Sequence, residues 1–186
     1  VAARLVIFGR QGAGKGTQCE FLTRHYGAVH ISTGDMLRAA AASGTDLGIR
    51  AKSYMDTGQL LPDDVMVGVV QERLELPDVA ELGFLLDGFP RTVPQAEALC
   101  ALVEVDLAVN LDVAEDVVRD RMLARGRADD TPEIIGERLA AYAAQTVPTI
   151  AWFAQQDRLV TIDGVGEPSE VSNRLTAAID ARLGAQ

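Results

Sequence analysis

Five short apolar runs punctuate the chain: Leu5–Phe8, Val29–Ile31, Phe84–Asp87, Leu107–Leu111 and Leu159–Asp163. Each is nearly continuous rather than alternating, the pattern of parallel strands covered on both faces. Between them the apolar positions recur at helical spacing. Examples are Val65, Met66, Val69, Val70 and Leu74; then Ile135, Leu139, Tyr142, Thr146 and Ile150; then Val171, Leu175, Ala178 and Ile179. These read as core-facing helix stripes. Helix starts are marked by Thr131-Pro132, an N-cap with proline at N1, and by Asp112 with Glu115, which resembles a capping box. Strands alternating with helices predict an α/β fold with right-handed crossovers.

Two places break the alternation. About fifty residues lie between the second and third strands, where a single crossover needs roughly a dozen or more. They carry helical patterns at Gly34–Ala42 and Asp46–Thr57, glycines at Gly44, Gly48 and Gly58, and then Pro62 opening another helix. The second break is the basic stretch Arg121–Arg127 followed by Ala128-Asp129-Asp130. In open parallel sheets ligands sit beyond the C-terminal strand ends, so insertions there read as mobile covers.

The most specific chemistry lies between the first strand and the first helix, at Gly9-Arg10-Gln11-Gly12-Ala13-Gly14-Lys15-Gly16-Thr17. The G-x-x-x-x-G-K spacing, with a strand before it and a helix from Lys15 to His25 after it, predicts a phosphate-binding loop. Glycines let backbone N–H groups approach phosphate oxygens, the helix N-terminus adds unpaired donors, and Lys15 reaches the β- and γ-phosphates. A dinucleotide loop of the G-x-G-x-x-G kind fits poorly, because Gly14 is followed by Lys15, Gly16 and Thr17. An acid at the end of the second strand, needed for a ribose, is also missing.

Charge sharpens this picture. At 186 residues and 48% hydrophobic, the chain can fill one core with small inserted modules. The net charge of −10 argues against nucleic-acid or anionic-membrane partners. No apolar run has membrane-spanning length and no secretory signal is visible, so a soluble, cytoplasmic protein is expected. Against the acidic background there are only two lysines, Lys15 and Lys52, while arginines cluster at Arg119, Arg121, Arg125 and Arg127, with Arg138 beyond. Planar guanidinium groups suit phosphates, and a small polyphosphate accounts for them. Cys19 and Cys100 read as small core residues rather than a disulfide or metal pair. His25 and His30 lack acidic or cysteine partners at ligand spacing. Trp152 and Phe153 read as packing, Asp63-Asp64 as helix-start charge, and Arg4, Arg10, Arg24, Arg50, Arg119 and Arg158 as surface, with Arg10 near enough to the loop to touch a ligand.

Three further stretches carry a family resemblance: Ile31-Ser32-Thr33-Gly34-Asp35-Met36-Leu37-Arg38, Leu86-Asp87-Gly88-Phe89-Pro90-Arg91 with Gln95, and Arg121 through Arg138. With Gly14-Lys15-Gly16-Thr17-Gln18, and in this order, they make the chain resemble the adenylate kinases, in their short-lid form, from about Leu5 to the C-terminal helix. The resemblance implies a three-layer α/β/α P-loop fold with a five-stranded parallel sheet. It divides the chain into a core (1–31, 62–125 and 133–186), an inserted helical nucleoside-monophosphate-binding module (32–61) and a very short lid (126–132). It implies reversible phosphoryl transfer from ATP to AMP, giving two ADP, with Mg²⁺, in a monomer whose partners are nucleotides.

The implied roles are specific. Gly12, Ala13, Gly14, Lys15, Gly16 and Thr17 wrap the ATP phosphates, and Gly166 offers a backbone contact near the ATP adenine. Thr33, Gln59, Leu60, Leu61 and Gln95 match AMP base and ribose contacts, Met55 an apolar residue against the adenine, and Arg38 and Arg91 the arginines on the AMP phosphate, with Gly88, Phe89 and Pro90 in the same turn. Arg121, Arg125, Arg127 and Arg138 close over the transferring group; Arg121 and Arg125 lie on the ATP side, and Arg127 and Arg138 also touch AMP. Asp129 and Asp130 align these arginines, and Asp87 holds Mg²⁺ through water. The interval between Arg125 and Pro132 leaves no room for a longer lid hairpin, and with no cysteine nearby no structural zinc is expected. Two positions depart from the family: Gln11 stands where proline is usual, and Gln59 where a lysine or another polar residue is common. A pyrimidine nucleoside monophosphate kinase on the same fold, with a changed acceptor pocket, and a non-catalytic nucleotide sensor are the alternatives. Thr33 and Gln95 favour adenine over the first, and the presence of Lys15, Asp87 and the lid arginines counts against the second.

Overall fold

All five apolar runs are strands: β1 (Ala3–Phe8), β2 (Val29–Ser32), β3 (Gly83–Asp87), β4 (Leu107–Asp112) and β5 (Leu159–Asp163). In the computed structural model, which describes residues 2–184, they form one sheet of order β2-β3-β1-β4-β5. Every neighbouring pair is parallel, with Val6 opposite Leu86 and Ala108, and Ile31 opposite Leu86. The near-continuous hydrophobicity has a direct cause. Along β1, Leu5 and Ile7 enter the core on one face, while Val6 and Phe8 enter the core on the other.

Ten α-helices and one π-turn cover the sheet among the described residues. The first face is covered by α1 (Lys15–Tyr26), α7 (Glu115–Arg125), α8 (Pro132–Ala141) and α10 (Pro168–Leu183), through Leu22, Met122, Ile135 and Leu175. The second face is covered by α4 (Asp63–Leu74), α5 (Pro77–Leu82), α6 (Val93–Leu102) and α9 (Val147–Gln155), through Val70, Val79, Leu99 and Phe153. The insertion between β2 and β3 begins with α2 (Thr33–Ser43) and α3 (Asp46–Thr57), which pack against each other. This is the three-layer α/β/α arrangement implied by the sequence, with its helical insert. No helix among the described residues is long and apolar enough to cross a membrane.

Local signals explain most boundaries. Ser32, Thr45, Thr92 and Thr131 each cap a helix by accepting from a backbone N–H three residues on. Two expectations change. Asp112 does not cap α7: it continues the β4–β5 ladder opposite Asp163, so its backbone is committed to the sheet, and α7 starts at Glu115 after Ala114. The stripe from Ile135 to Ile150 is not one α-helical face either. A π-turn at Tyr142–Thr146 separates α8 from α9 and shifts the phase, so that Ile135 and Leu139 serve the first core while Ile150 packs against the second.

Close packing of α2 on α3 rests on Gly48. A Cβ there would lie 2.0 Å from the Ala40 carbonyl oxygen. Gly48→Ala should therefore push the two helices apart and cost about 1–3 kcal/mol, the usual range for overpacking. Denaturant unfolding, with hydrogen exchange localising the loss to residues 33–57, checks this.

Candidate active site

The C-terminal ends of β1, β2 and β3 open onto one cleft. At the end of β1 the chain turns through Gly9–Gly14 and enters α1 at Lys15. Gly12 sits at φ 83°, and a Cβ on it would lie 2.8 Å from the Val118 carbonyl oxygen, so both conformation and space demand glycine. No side chain caps α1, which leaves its first amides free for an anion. Ala13 has its side chain in the core, so only its backbone is available to a ligand. Lys15 folds back on the loop, its Nζ donating to the carbonyls of Gly9 at 2.8 Å and Arg10 at 3.2 Å. Burial lowers the pKa of its ammonium group, and the nearby Asp87 carboxylate opposes that shift.

Beside the loop lies a pocket lined by Thr33, Arg38, Met55, Gln59, Leu60, Leu61, Gly88, Arg91 and Gln95. Gly88, at φ 87°, lies so close to Thr33 that a Cβ would be 2.6 Å from Oγ1. The Phe89 side chain is buried in the second core, whereas Pro90 lines a neighbouring cavity with Lys15 and Arg91. Gln95 is 2% exposed and held at both ends of its amide. Its Oε1 accepts from the Arg91 backbone N–H at 2.8 Å, and its Nε2 donates to Asp63 Oδ1 at 2.8 Å. Thr92 Oγ1 donates to the same Asp63 oxygen at 2.9 Å. Asp63 is thus more than a helix-start charge: it fixes which end of Gln95 points where. Nothing in the sequence interval between positions 63 and 95 signals that contact.

A third cavity, of about 430 Å³, joins Gly12, Gly14, Lys15, Gly16 and Thr17 to Asp87 and to Arg38, Arg91, Arg121, Arg125, Arg127 and Arg138. Seven basic side chains face it against the carboxylates of Asp35, Asp87 and Asp129. Arg91 is held by the Gly88 carbonyl, 2.8 Å from its Nε, and burial lowers its pKa while Asp87 opposes and Arg138 and Arg38 add repulsion. Arg121 leans on the loop, 3.5 Å and 3.4 Å from the carbonyls of Gly12 and Ala13. Arg125 meets Asp130 in a two-pronged pair at 2.8 and 2.7 Å, and Asp130 also accepts from the Arg127 backbone N–H at 3.0 Å. Arg138 bonds Asp129 and stands 3.6 Å from Asp130. The Arg125 hydrogen bonds hold Asp130 below the usual carboxylate range; for Asp129, burial pushes upward but the Arg138 bond and charge outweigh it.

Asp87 ends β3 between Lys15 and Arg91. Burial would raise its carboxyl, yet His30, Lys15 and Arg91 together keep it below its ordinary value, hence ionised. The expectation that His30 has no partner is corrected: parallel pairing of β2 with β3 brings His30 Nε2 to 3.8 Å from Asp87 Oδ2. Cys19, His30 and Asp87 place ligand-type atoms within 4.8 Å of one another, although burial pushes the Cys19 thiol up and keeps it protonated. His25 likewise faces an acid, with its Nε2 3.8 Å from Asp180 Oδ2. Arg10 is anchored rather than solvated, donating to the Val113 carbonyl at 3.0 Å and lying 5.3 Å from the Tyr142 ring centre. Gly166 lies in the loop between β5 and α10, away from the walls of these three cavities. Arg174 pins that loop through the carbonyls of Asp163 and Val165. Both cysteines are free.

The sequence model of the family described as adenylate kinase matches residues 7–158. The chain belongs to the adenylate kinase family. The adenylate kinase of Corynebacterium glutamicum (strain R) is 49% identical over 181 residues, covering 95% of this chain and 98% of that protein. The adenylate kinase of Stenotrophomonas maltophilia (strain K279a) is 47% identical, covering 96% of this chain and all of that protein. That of Nitrobacter hamburgensis is 45% identical, covering 98% of this chain and 94% of that protein. Family membership implies an enzyme that binds ATP, AMP and ADP and moves a phosphoryl group from ATP to AMP.

Asp130 provides a direct test of how the arginines are held. Its carboxylate is fully enclosed while Arg125 remains about a third exposed. Asp130→Ala should cost about 2–3 kcal/mol at pH 7, below the full range for a buried pair because of that exposure. Since the folded pKa is lowered, the contribution is present above the ordinary carboxylate value of 3.8 and fades as pH falls through the lowered one. Urea unfolding of both proteins at pH 7 and near pH 3 should show the gap narrowing in acid.

Proposed function

We propose that this cleft catalyses reversible, Mg²⁺-dependent phosphoryl transfer from ATP to AMP by positioning and charge stabilisation, with no covalent enzyme intermediate. The observation that carries the reading is the convergence of seven basic side chains between a phosphate loop and a pocket with an oriented glutamine amide. Phosphoryl transfer spreads charge over the equatorial oxygens of the moving group and needs no side-chain nucleophile. Lys15 exchanges its bonds to the Gly9 and Arg10 carbonyls for the β- and γ-phosphates, wrapped by the backbone of Gly12–Thr17. Arg38 and Arg91 hold the AMP phosphate. Thr33, Met55, Gln59–Leu61 and Gln95 receive the adenosine, where the remaining hydrogen-bonding capacity of the Gln95 amide meets the base edge. Arg121, Arg125, Arg127 and Arg138 stabilise the charge in transit, and Gly166 borders the ATP adenine.

An ionised Asp87 beside Thr17 in a polar cavity suits magnesium, which binds through one or two carboxylates, retained waters and substrate phosphates. Asp87 would hold the ion through water, and the ion supplies neutralisation of the phosphate charge. A structural zinc has no role in this reading.

Residues 32–61 act as the acceptor module and residues 126–132 as the lid, both closing on the core to keep water from replacing AMP as acceptor. The enzyme is taken to be a cytoplasmic monomer serving adenine nucleotide balance.

An ADP-formation assay offering AMP, UMP, CMP and GMP in turn tests the reading. Turnover confined to AMP is expected, and preference for UMP or CMP would overturn the adenine assignment of Thr33 and Gln95. Lys15→Met should lower kcat by about 10³-fold or more with the fold intact, as for loss of a principal charge-stabilising group. Arg91→Ala should raise KM for AMP by about tenfold or more while leaving KM for ATP nearly unchanged, the mark of a lost contact to one substrate. Equal loss for both nucleotides would remove Arg91 from the acceptor side.

A further inference from the structure

Gln11 is the one residue of the phosphate loop that lines the pocket of Thr33, Arg91 and Gln95. Four residues line all three cavities of the cleft: Gln11, Gly88, Arg91 and Arg138. Gly88 has no side chain and the two arginines supply charge, so Gln11 is the single neutral hydrogen-bonding group where the cavities meet. Its Oε1 is sealed from solvent with no partner. No hydrogen bond from its Nε2 is found among the described residues, and that atom is not among those sealed from solvent. Of the two ends of this half-buried amide only the solvent-accessible Nε2 can serve a phosphate, because phosphate oxygens accept and Oε1 accepts as well. The side chain carries two N–H bonds on a flexible stem.

We propose that Gln11 is a further substrate-contacting residue, its Nε2 donating to a non-bridging oxygen of the AMP phosphate beside Arg91. The neutral donor fixes direction where the surrounding arginines supply attraction, and so turns the attacking oxygen toward the γ-phosphate held on the same loop. The placement is specific: Gln11 shares its cavities with Thr33, Gln95 and Arg38 on the acceptor side and with Lys15 on the donor side. This rests on the acceptor-site reading of Arg91, so Arg91→Ala serves as the internal control.

The test compares wild type with Gln11→Ala, Gln11→Glu and Arg91→Ala in steady-state kinetics varied in each nucleotide. Melting temperature and binding of a non-hydrolysable ATP analogue are measured alongside. Gln11→Ala should lower kcat/KM for AMP about tenfold or more, the worth of one hydrogen bond to a charged group. Gln11→Glu keeps the shape but sets a carboxylate against the phosphate, and should lower it about 100-fold or more. Gln11→Ala should leave ATP-analogue affinity within about twofold, whereas the carboxylate of Gln11→Glu also repels the ATP phosphates on the same loop, so the selectivity comparison is read from Gln11→Ala. If both variants keep kcat/KM for AMP within twofold while Arg91→Ala loses AMP selectively, the inference is wrong and the acceptor site stands. Equal losses for ATP and AMP would mean that Gln11 only shapes the loop, which also overturns it. Should Arg91→Ala show no AMP selectivity, the acceptor reading falls and takes the Gln11 contact with it.

Discussion

Repulsion among crowded cations is the constraint on which this structure turns. Lys15 and Arg91 are half-buried, and desolvation works against the charge of each. Arg38, Arg121, Arg125, Arg127 and Arg138 line the same cavity. Local carboxylates counter this crowding. Asp87 faces Lys15 and Arg91, Asp130 clamps Arg125, and Asp129 holds Arg138. The carboxylates leave an excess of positive charge, which a polyphosphate can neutralise in a site that is already oriented. The acids therefore do two things at once: they offset the crowding of like charge and they fix the direction in which the Arg125 and Arg138 guanidinium groups point.

The sheet order explains why these groups meet. Chain direction reverses at β1: the path runs outward to β2, returns to β3 beside β1, and then passes to β4 on the other side. The phosphate loop leaves β1 at this switch point, where crevices in open parallel sheets form. Because β3 pairs directly with β1, Ile7 lies opposite Asp87, and the carboxylate arrives next to Lys15 without any special loop. The π-turn plays a comparable part on the far wall. It turns Thr146 so that its hydroxyl donates to the Arg91 carbonyl at 3.2 Å, tying the α8–α9 segment to Arg91.

What could be read from the sequence follows from this division. The strands were legible because burial on both faces leaves continuous apolar runs, and the loop was legible because its backbone requires glycine at fixed spacing. Thr131 is legible as a cap for the same local reason, whereas the caps at Ser32, Thr45 and Thr92 emerge only in the structure. Contacts created by register were not. His30 meets Asp87 only through the pairing of β2 with β3, and Asp63 meets Gln95 across 32 residues of chain. The π-turn escaped because Ile135, Leu139, Tyr142, Thr146 and Ile150 fit an α-helical stripe equally well until the two faces of the sheet are distinguished. Asp112 was misread because a cap and a strand end share the same local signature, and the ladder to Asp163 decides between them.

The division of labour between charge and direction also bears on how such a site discriminates. Arginine attraction acts over several ångströms and would welcome almost any phosphate, so it confers affinity more readily than choice. Selection has to come from short, directional groups whose orientation is fixed before the ligand arrives. Gln95 has that property because Asp63 and the Arg91 backbone occupy opposite ends of its amide, so a base edge that mismatches it cannot be accommodated by flipping the amide without breaking both bonds. A wrong base then leaves buried polar groups unpaired, a larger penalty than losing an apolar contact. On the proposed reading of Gln95 as the base contact, acceptor choice is anchored at Asp63, a residue that need not touch the nucleotide at all.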